Sequence, residues 1–171
     1  DEIVRQSRAA VAWLSENAED YGGDSNQIYV SGHSAGGHLT AMLLATDWEG
    51  EYGKSSDIIK GGCSISGLFD LEPFPYTWLQ PKLQLTWGQV RRNSPIQQIP
   101  DEAPPLIVTY GGNEPSEMCR QSEDFLAAWE ESGLEGEYLP QPDDNHFTAI
   151  EGFLDPDSPL CTAIFEQMDI E

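Results

Sequence analysis

The chain has 171 residues, a length that suits a single domain (residues 1–171) built around one hydrophobic core. It carries 30 acidic residues against 8 basic ones, for a net charge of -22, and a surface this negative repels nucleic acid and anionic membranes. We therefore expect neither nucleic acid nor a membrane among its partners.

The acidic residues are spread along the chain and not gathered in a tail, which is typical of an ordinary solvated surface. Adaptation to high salt is the alternative, because screening relieves self-repulsion. No long apolar run occurs, and the start DEIV lacks the basic and apolar regions of a signal peptide. The three cysteines are Cys63, Cys119 and Cys161. They have no metal-ligand spacing and indicate free or buried thiols. We therefore expect a cytoplasmic protein without a metal.

The first predicted element is a helix that Asp1 can cap and that Gly22 and Gly23 end. Its apolar residues recur near helical spacing, at Val4, Val11, Leu14 and Ala18. A short strand is predicted over residues 27–31, and a second helix over residues 35–47.

The remaining elements alternate between strands and helices. Strands are predicted over 62–65, 105–110 and 136–139, and helices over 116–132 and 160–168. This alternation indicates an α/β fold, with a mostly parallel sheet and helical crossovers on its faces. The segment 68–104 is rich in proline and aromatic residues, with a short helix over 84–91, and is too long for an ordinary connection. We expect it to be a lid or a substrate-binding insertion.

The sequence GHSAG, residues 32–36, lies at the corner between the first predicted strand and the second helix. It fits the pattern G-x-S-x-G, in which a sharp strand-to-helix turn holds a nucleophilic serine above the sheet. Gly32 and Gly36 leave room for that turn, and Ser34 is the candidate nucleophile. Because Ala35 then stands at the N-terminus of a helix, its backbone N–H can donate to a developing oxyanion.

A serine hydroxyl needs a base to take its proton, and the chain has 3 histidines. His33 lies inside the corner and His38 one turn along the helix, so we expect both to be structural, packing or bonding to nearby backbone. His146 follows the last predicted strand, at the sheet edge where the sites of parallel sheets collect. His146 is therefore the candidate base.

The imidazole in turn needs a carboxylate that fixes its tautomer. The chain order serine, acid, histidine restricts the search to acids between Ser34 and His146. Glu114 is the best candidate, since it follows the predicted strand 105–110 and so lies at the same sheet edge. Other acids stay open as alternatives, although solvated or loop-capping roles suit them better: Asp70, Glu72, Glu117, Asp143 and Asp144.

Four segments together resemble one branch of the α/β-hydrolase superfamily: YVSGHSAGGHLTAMLLATDW, SGLFDLEP, GGNEPSEMCRQS and NHFTAIEGF. They are similar to kynurenine formamidases and related esterases, and they run over nearly the whole chain. The resemblance implies an α/β-hydrolase fold, with Ser34 as the nucleophile, Glu114 as the triad acid and His146 as the base. It also implies hydrolysis of N-formylkynurenine or small acyl esters without a metal or an organic cofactor.

The sequence departs from that family at its front. Such enzymes carry several strands and a His-Gly-Gly type loop before the serine corner, and that loop supplies a second oxyanion-hole N–H. No such loop precedes residue 32. We therefore expect the sequence to correspond to the C-terminal two-thirds of the fold, with its N-terminal strands missing and strand 27–31 as an open edge. Upstream residues, a second copy of the chain or a partner chain would complete that edge.

The predicted reaction is acyl transfer to Ser34 from a small-molecule ester or formamide. In the long segment, four aromatic side chains are candidates for lining the substrate pocket, with core or lid packing as the alternative: Phe69, Phe74, Tyr76 and Trp78. Two other functions stay open. The chain can be a hydrolase fold kept as a non-catalytic binding module, or a fragment that is inactive alone.

Overall fold

The computed structural model describes residues 1–170, which form a four-stranded sheet flanked by helices. The strands are parallel and lie side by side in chain order: β1 (Tyr29–His33), β2 (Gly61–Ile65), β3 (Leu106–Gly111) and β4 (Gly136–Gln141). Every connection between neighbouring strands contains a helix, as parallel pairing requires. The predicted α/β architecture with a parallel sheet is therefore confirmed.

The helices vary in length from one turn to more than four. They are α1 (Glu2–Asn17), α2 (Ala35–Leu44), α3 (Trp48–Tyr52), α4 (Gln80–Leu83), α5 (Trp87–Arg92), α6 (Ser116–Glu131) and α7 (Pro159–Gln167). Short 3₁₀ segments lie at Ala18–Tyr21, Phe74–Tyr76, Pro95–Gln97 and Thr148–Leu154. Along residues 1–170, no helix has the length and apolar character that crossing a membrane demands.

The register brings the carboxyl ends of the four strands to one edge of the sheet. His33 pairs with Ile65, Ile65 with Thr109, and Thr109 with Leu139. The loops that leave the strands begin close to this row. Polar groups that follow different strands are therefore neighbours in space although they are far apart in sequence.

Each face of the sheet packs against its own hydrophobic cluster. Side chains alternate between the two faces along β3, so Leu106 and Val108 join one cluster and Ile107 joins the other. The larger cluster also contains side chains of α1 and α2 and the fully buried ring of Phe125 from α6. The smaller cluster contains Leu160 of α7. Burial on both faces anchors the strands whose ends carry the site.

Two boundaries near the serine corner differ from the sequence prediction. β1 runs to His33 and so continues into the corner itself. The predicted helix over 35–47 is two helices, because α2 ends at Leu44 and Asp47 caps the separate helix α3. The Asp47 side chain accepts the N–H of Gly50 at 2.8 Å, which is an N-cap bond that a continuous helix would not need.

The segment 68–104 contains more regular structure than predicted, with α4, α5 and two 3₁₀ turns. The predicted helix over 84–91 begins at Trp87 instead, because Thr86 caps it. Thr86 and Gln89 form a capping box, in which each side chain accepts the backbone N–H of the other residue. A sequence signature that was present in the chain therefore fixes this helix start.

Candidate active site

Ser34 lies at a sharp turn between β1 and α2. Its backbone has φ 58° and ψ -115°, a conformation that residues other than glycine rarely adopt. Neighbours hold it there: the Ser34 N–H donates to the carbonyl oxygen of Ile65 at 2.8 Å, and the Ser34 carbonyl accepts the N–H of His38 at 3.1 Å. The sheet and the helix therefore stabilise a strained turn at the carboxyl edge.

Gly32 makes this turn possible. A Cβ at position 32 would lie 2.4 Å from the backbone carbonyl atoms of Gly36, far inside van der Waals contact. A Cβ at position 36 would meet nothing within 4 Å. Within residues 1–170, the prediction that Gly36 leaves room for the turn is therefore wrong, whereas the same prediction for Gly32 is confirmed. The second glycine that packing requires is Gly37, where a Cβ would lie 2.8 Å from the Cα of Gly67.

His146 lies in the loop after β4. Its Nε2 is 3.0 Å from the Oγ of Ser34, a hydrogen-bonding distance. The loop is pinned by Asn145, whose side-chain oxygen accepts the backbone N–H groups of Phe147 at 2.9 Å and Thr148 at 3.3 Å. The His146 side chain is 26% exposed, so a small molecule can reach it from solvent.

Glu114 lies in the loop between β3 and α6, and its side chain is fully buried. Its Oε2 is 2.8 Å from the Nδ1 of His146. Its Oε1 accepts two further hydrogen bonds, from the hydroxyl of Ser66 at 2.5 Å and from the N–H of Gly111 at 2.8 Å. A buried carboxylate is costly unless hydrogen bonds compensate for the lost water, and the side chain of Glu114 has three hydrogen-bond partners. Among the candidate acids, Glu114 is the one that the fold brings to His146.

The other candidate acids lie elsewhere. Asp70 is 3.9 Å from Arg120, and Glu117 accepts two hydrogen bonds from the same guanidinium. Hydrogen bonding to Arg120 lowers the pKa of Glu117 to about 2. No hydrogen bond within residues 1–170 joins His146 to the remaining three candidates, which are Glu72, Asp143 and Asp144.

His33 and His38 bond to backbone, as the sequence indicated. His38 Nε2 is 2.7 Å from the carbonyl oxygen of Asn93, and burial lowers the pKa of this imidazole. His33 Nε2 is 2.6 Å from the carbonyl oxygen of His146, and the two imidazole rings lie 4.7 Å apart. His33 therefore does more than pack in the corner, because it ties β1 to the loop that carries His146.

Ser66 is the residue of this site that sequence reasoning missed. It follows β2 directly and bonds to Glu114 across the carboxyl edge of the sheet. The available signal was its position, since Ser66 follows a predicted strand just as Glu114 and His146 follow theirs. A single serine after a strand has many ordinary uses, so that position alone did not distinguish it.

A cleft of about 570 Å³ opens beside His146. The other side chains that line it are apolar or neutral: Asn113, Pro115, Met118, Asn145 and Phe147. No lysine or arginine is among them. The cleft therefore suits a neutral, largely apolar group better than an anionic one.

The four aromatic residues predicted to line a pocket do not line this cleft. The prediction is wrong for Phe69, which is completely buried and stacks on Phe125 at 4.3 Å, so core packing is its role. Tyr76 and Trp78 are exposed, and Phe74 is half-buried. The aromatic side chain beside His146 is Phe147, with a ring separation of 5.7 Å.

Ala35 is the first residue of α2 and follows Ser34 directly, so its N–H has no acceptor within the helix. β1 pairs with β2 on one side and is an edge strand of the described sheet.

Within residues 1–170, no group of three His, Cys, Asp or Glu side chains could hold a metal ion.

A parallel sheet with helical crossovers, and a serine at a strained turn between a strand and a helix, define an α/β-hydrolase. A family model described as BD-FAE matches residues 2–129. The chain belongs to this BD-FAE family of α/β-hydrolases.

Named relatives and solved structures agree with this family. Kynurenine formamidase of Salmo salar is 33% identical over 174 residues, a match that covers 98% of this chain and 57% of that protein. Esterase LipQ of Mycobacterium tuberculosis is 33% identical over 141 residues, covering 74% of this chain and 34% of LipQ. A solved Silicibacter structure, provisionally described as a thioesterase, matches with a TM-score of 0.76 at 28% identity. The match covers 95% of this chain and 57% of the chain in that structure. The chain spans 57% and 53% of the two kynurenine formamidases that it matches.

Proposed function

We propose that this protein is a serine hydrolase that cleaves a carboxylic ester or an N-formyl aromatic amide through an acyl-enzyme. The observation that carries the proposal is a continuous chain of hydrogen bonds. It runs from Ser34 Oγ to His146 Nε2 over 3.0 Å, and from His146 Nδ1 to Glu114 Oε2 over 2.8 Å. A nucleophile, a base and an acid that orients the base are what acyl transfer to serine needs.

Proton positions follow from the chemistry of these partners. A buried carboxylate accepts hydrogen bonds, so Nδ1 of His146 carries the hydrogen that Glu114 receives. Nε2 is then left with a lone pair, which accepts the hydroxyl proton of Ser34. This tautomer is the one that makes His146 a general base toward Ser34.

In the proposed first step, Ser34 Oγ bonds to the carbonyl carbon of the substrate while His146 takes the hydroxyl proton. The resulting oxyanion accepts a hydrogen bond from the Ala35 N–H at the N-terminus of α2. The bond from carbon to the leaving oxygen or nitrogen then breaks, and His146 gives its proton to that leaving group. An acyl or formyl ester of Ser34 remains.

In the proposed second step, water replaces the leaving group. His146 removes a proton from the water as its oxygen bonds to the ester carbon, and the bond to Ser34 Oγ breaks. Ser34 recovers its proton from His146, and a carboxylic acid or formic acid leaves. Glu114 stabilises the imidazolium in both steps because its charge lies next to Nδ1.

The proposed substrate has a neutral, largely apolar group next to the scissile carbonyl. The support is the cleft beside His146, whose side walls include Pro115, Met118 and Phe147. Relatives named as esterases and as kynurenine formamidases fit the same chemistry.

The test is turnover of a short p-nitrophenyl ester and of N-formylkynurenine, each compared with the Ser34→Ala variant. We expect the ester to be hydrolysed at least about 10³-fold faster by the wild-type chain than by the variant. The ratio of the two kcat/KM values then separates esterase from formamidase. Equal background rates for the two proteins on both substrates would instead support a non-catalytic binding module or an incomplete catalytic unit.

A further inference from the structure

A buried serine lies behind the acid of the proposed triad. Ser66 is completely buried, and its hydroxyl donates to Oε1 of Glu114 at 2.5 Å. The two residues come from the ends of different strands, β2 and β3. The proposed mechanism uses Ser34, His146 and Glu114 and gives Ser66 no role.

The backbone of Ser66 is held in an unusual conformation. Its φ is 49°, in the left-handed region that favours glycine and that costs other residues about 1 kcal/mol or more. The Ser66 N–H donates to the carbonyl oxygen of Thr109 at 2.7 Å, which fixes the turn against β3. Serine therefore occupies position 66 although glycine would be less strained there, and its hydroxyl donates a hydrogen bond to Glu114.

The hydroxyl of Ser66 completes the hydrogen bonds of one carboxylate oxygen. Oε1 of Glu114 accepts from Ser66 and from the Gly111 N–H, while Oε2 faces His146. Two donors on Oε1 resist rotation of the carboxylate about its terminal bond. They also stabilise the negative form of a fully buried acid, which desolvation disfavours.

We propose that Ser66 is a positioning residue for the acid, which extends the relay to Ser34–His146–Glu114–Ser66. The inference rests on the proposed hydrolase function. Ser66 does not touch the substrate. It keeps Oε2 of Glu114 aimed at Nδ1 of His146, so that the imidazole stays in its productive tautomer and orientation.

The competing explanation is that Ser66 only stabilises the fold at the end of β2. Two substitutions separate the explanations. Ser66→Ala removes the hydroxyl and keeps the backbone strain, whereas Ser66→Gly removes the hydroxyl and relieves the strain. Ser64→Ala is the matched control, since Ser64 is also completely buried on β2 but donates to the Gly37 carbonyl oxygen and not to Glu114.

The experiment measures kcat, KM and their pH dependence for ester hydrolysis by the wild type and these three variants, with thermal unfolding of each. We expect both Ser66 variants to lose about tenfold or more in kcat with KM within about twofold. The acid limb of kcat/KM should shift in both, because the carboxylate that faces Nδ1 of the base is then held by one donor fewer. Ser64→Ala should keep the wild-type acid limb whatever its stability.

A second readout does not depend on turnover. A hydrogen held between His146 Nδ1 and Glu114 gives a strongly downfield proton resonance, which Glu114→Gln would assign by its loss. We expect this resonance to broaden or shift in Ser66→Ala and Ser66→Gly and to persist in Ser64→Ala.

A Ser66→Gly variant with wild-type kcat, pH profile and resonance would overturn the inference. A wild-type chain with no turnover above Ser34→Ala would overturn the proposed hydrolase function itself, a result distinguishable from the first.

Discussion

The two sides of Ser34 are built very differently. On the base side, loops from three further strand ends converge, and every polar side-chain atom of Glu114 and His146 has a partner. On the oxyanion side, the described residues offer the Ala35 N–H, and β1 is an edge strand with no neighbour beyond it.

This difference shows which part of the proposed chemistry the described strands can assemble. Acid–base positioning needs strand ends from β1 to β4, all of which are present and in register. Oxyanion stabilisation uses backbone donors on both sides of the nucleophile, and each donor is worth about 10² to 10³ in turnover. We therefore propose that polypeptide pairing with the free edge of β1 supplies a second donor.

The largest effect is expected on the base side, from Glu114→Gln. The amide can donate to Nδ1 of His146, which favours the wrong imidazole tautomer, and kcat should fall by about 10³- to 10⁴-fold. Steady-state ester hydrolysis measures this loss. Asp143→Asn is the control, because Asp143 is an exposed acid in the His146 loop and its loss should change kcat by less than about twofold. Equal effects of the two substitutions would contradict the assignment of Glu114.

The corner between the two sides is tested by Gly32→Ala. The new Cβ would lie 2.4 Å from Gly36 backbone atoms, so we expect the free energy of unfolding to fall by about 1–3 kcal/mol or more. Urea denaturation measures the change. Gly36→Ala is the matched substitution, because it meets nothing within 4 Å and should be neutral or stabilise α2 by about 0.5–1 kcal/mol. A loss of stability in Gly36→Ala as large as that in Gly32→Ala would show that the corner is packed differently.

A smaller effect is expected where β1 joins the base side, from His33→Ala. The variant removes the bond from His33 to the carbonyl oxygen of His146, so the loop that holds the base should become less well positioned. We expect kcat/KM to fall about tenfold. His38→Ala removes a similar bond to backbone, from His38 to Asn93, away from that loop. It should lower stability and leave kcat/KM within about twofold, and the reverse result would remove the link between His33 and His146.

The smallest effect concerns the pH dependence of stability and comes from His38→Gln. Burial lowers the pKa of His38 below its usual value of 6.5, so the folded state favours the neutral imidazole. That contribution to stability is present above pH 6.5 and is lost as the pH falls through 6.5 toward the lowered pKa. Unfolding free energies between pH 8 and pH 5 should therefore decline less steeply in the variant. Parallel curves for the two proteins would contradict this account of His38.

Much of the fold was predictable because its signals are local and periodic. Apolar runs between turn residues located all four strands, and the G-x-S-x-G corner placed Ser34 between β1 and α2. Glu114 and His146 were found by one topological rule, that the carboxyl ends of parallel strands share an edge. Chain order and that rule together selected them as candidates, and the fold then brought them into contact.

The rest depended on contacts that no local pattern contains. The direction in which a side chain leaves a loop decides whether Phe69 enters the core or Phe147 faces the cleft, and both residues read alike in the sequence. The partnership of Ser66 with Glu114 joins residues 48 positions apart through one hydroxyl. Position 32 needs glycine and position 36 does not, because the folded backbone of Gly36 approaches position 32 closely, and no sequence pattern contains that contact.

The central claim is that His146 and Glu114 activate Ser34, and labelling by a fluorophosphonate tests it most directly. The intact mass of the chain is followed over time for the wild type, Ser34→Ala, His146→Ala and Glu114→Gln. The account predicts a single adduct on the wild type, none on Ser34→Ala, and labelling at least about 100-fold slower in the other two variants. An adduct that persists in Ser34→Ala, or equal labelling rates in the wild type and His146→Ala, would contradict it.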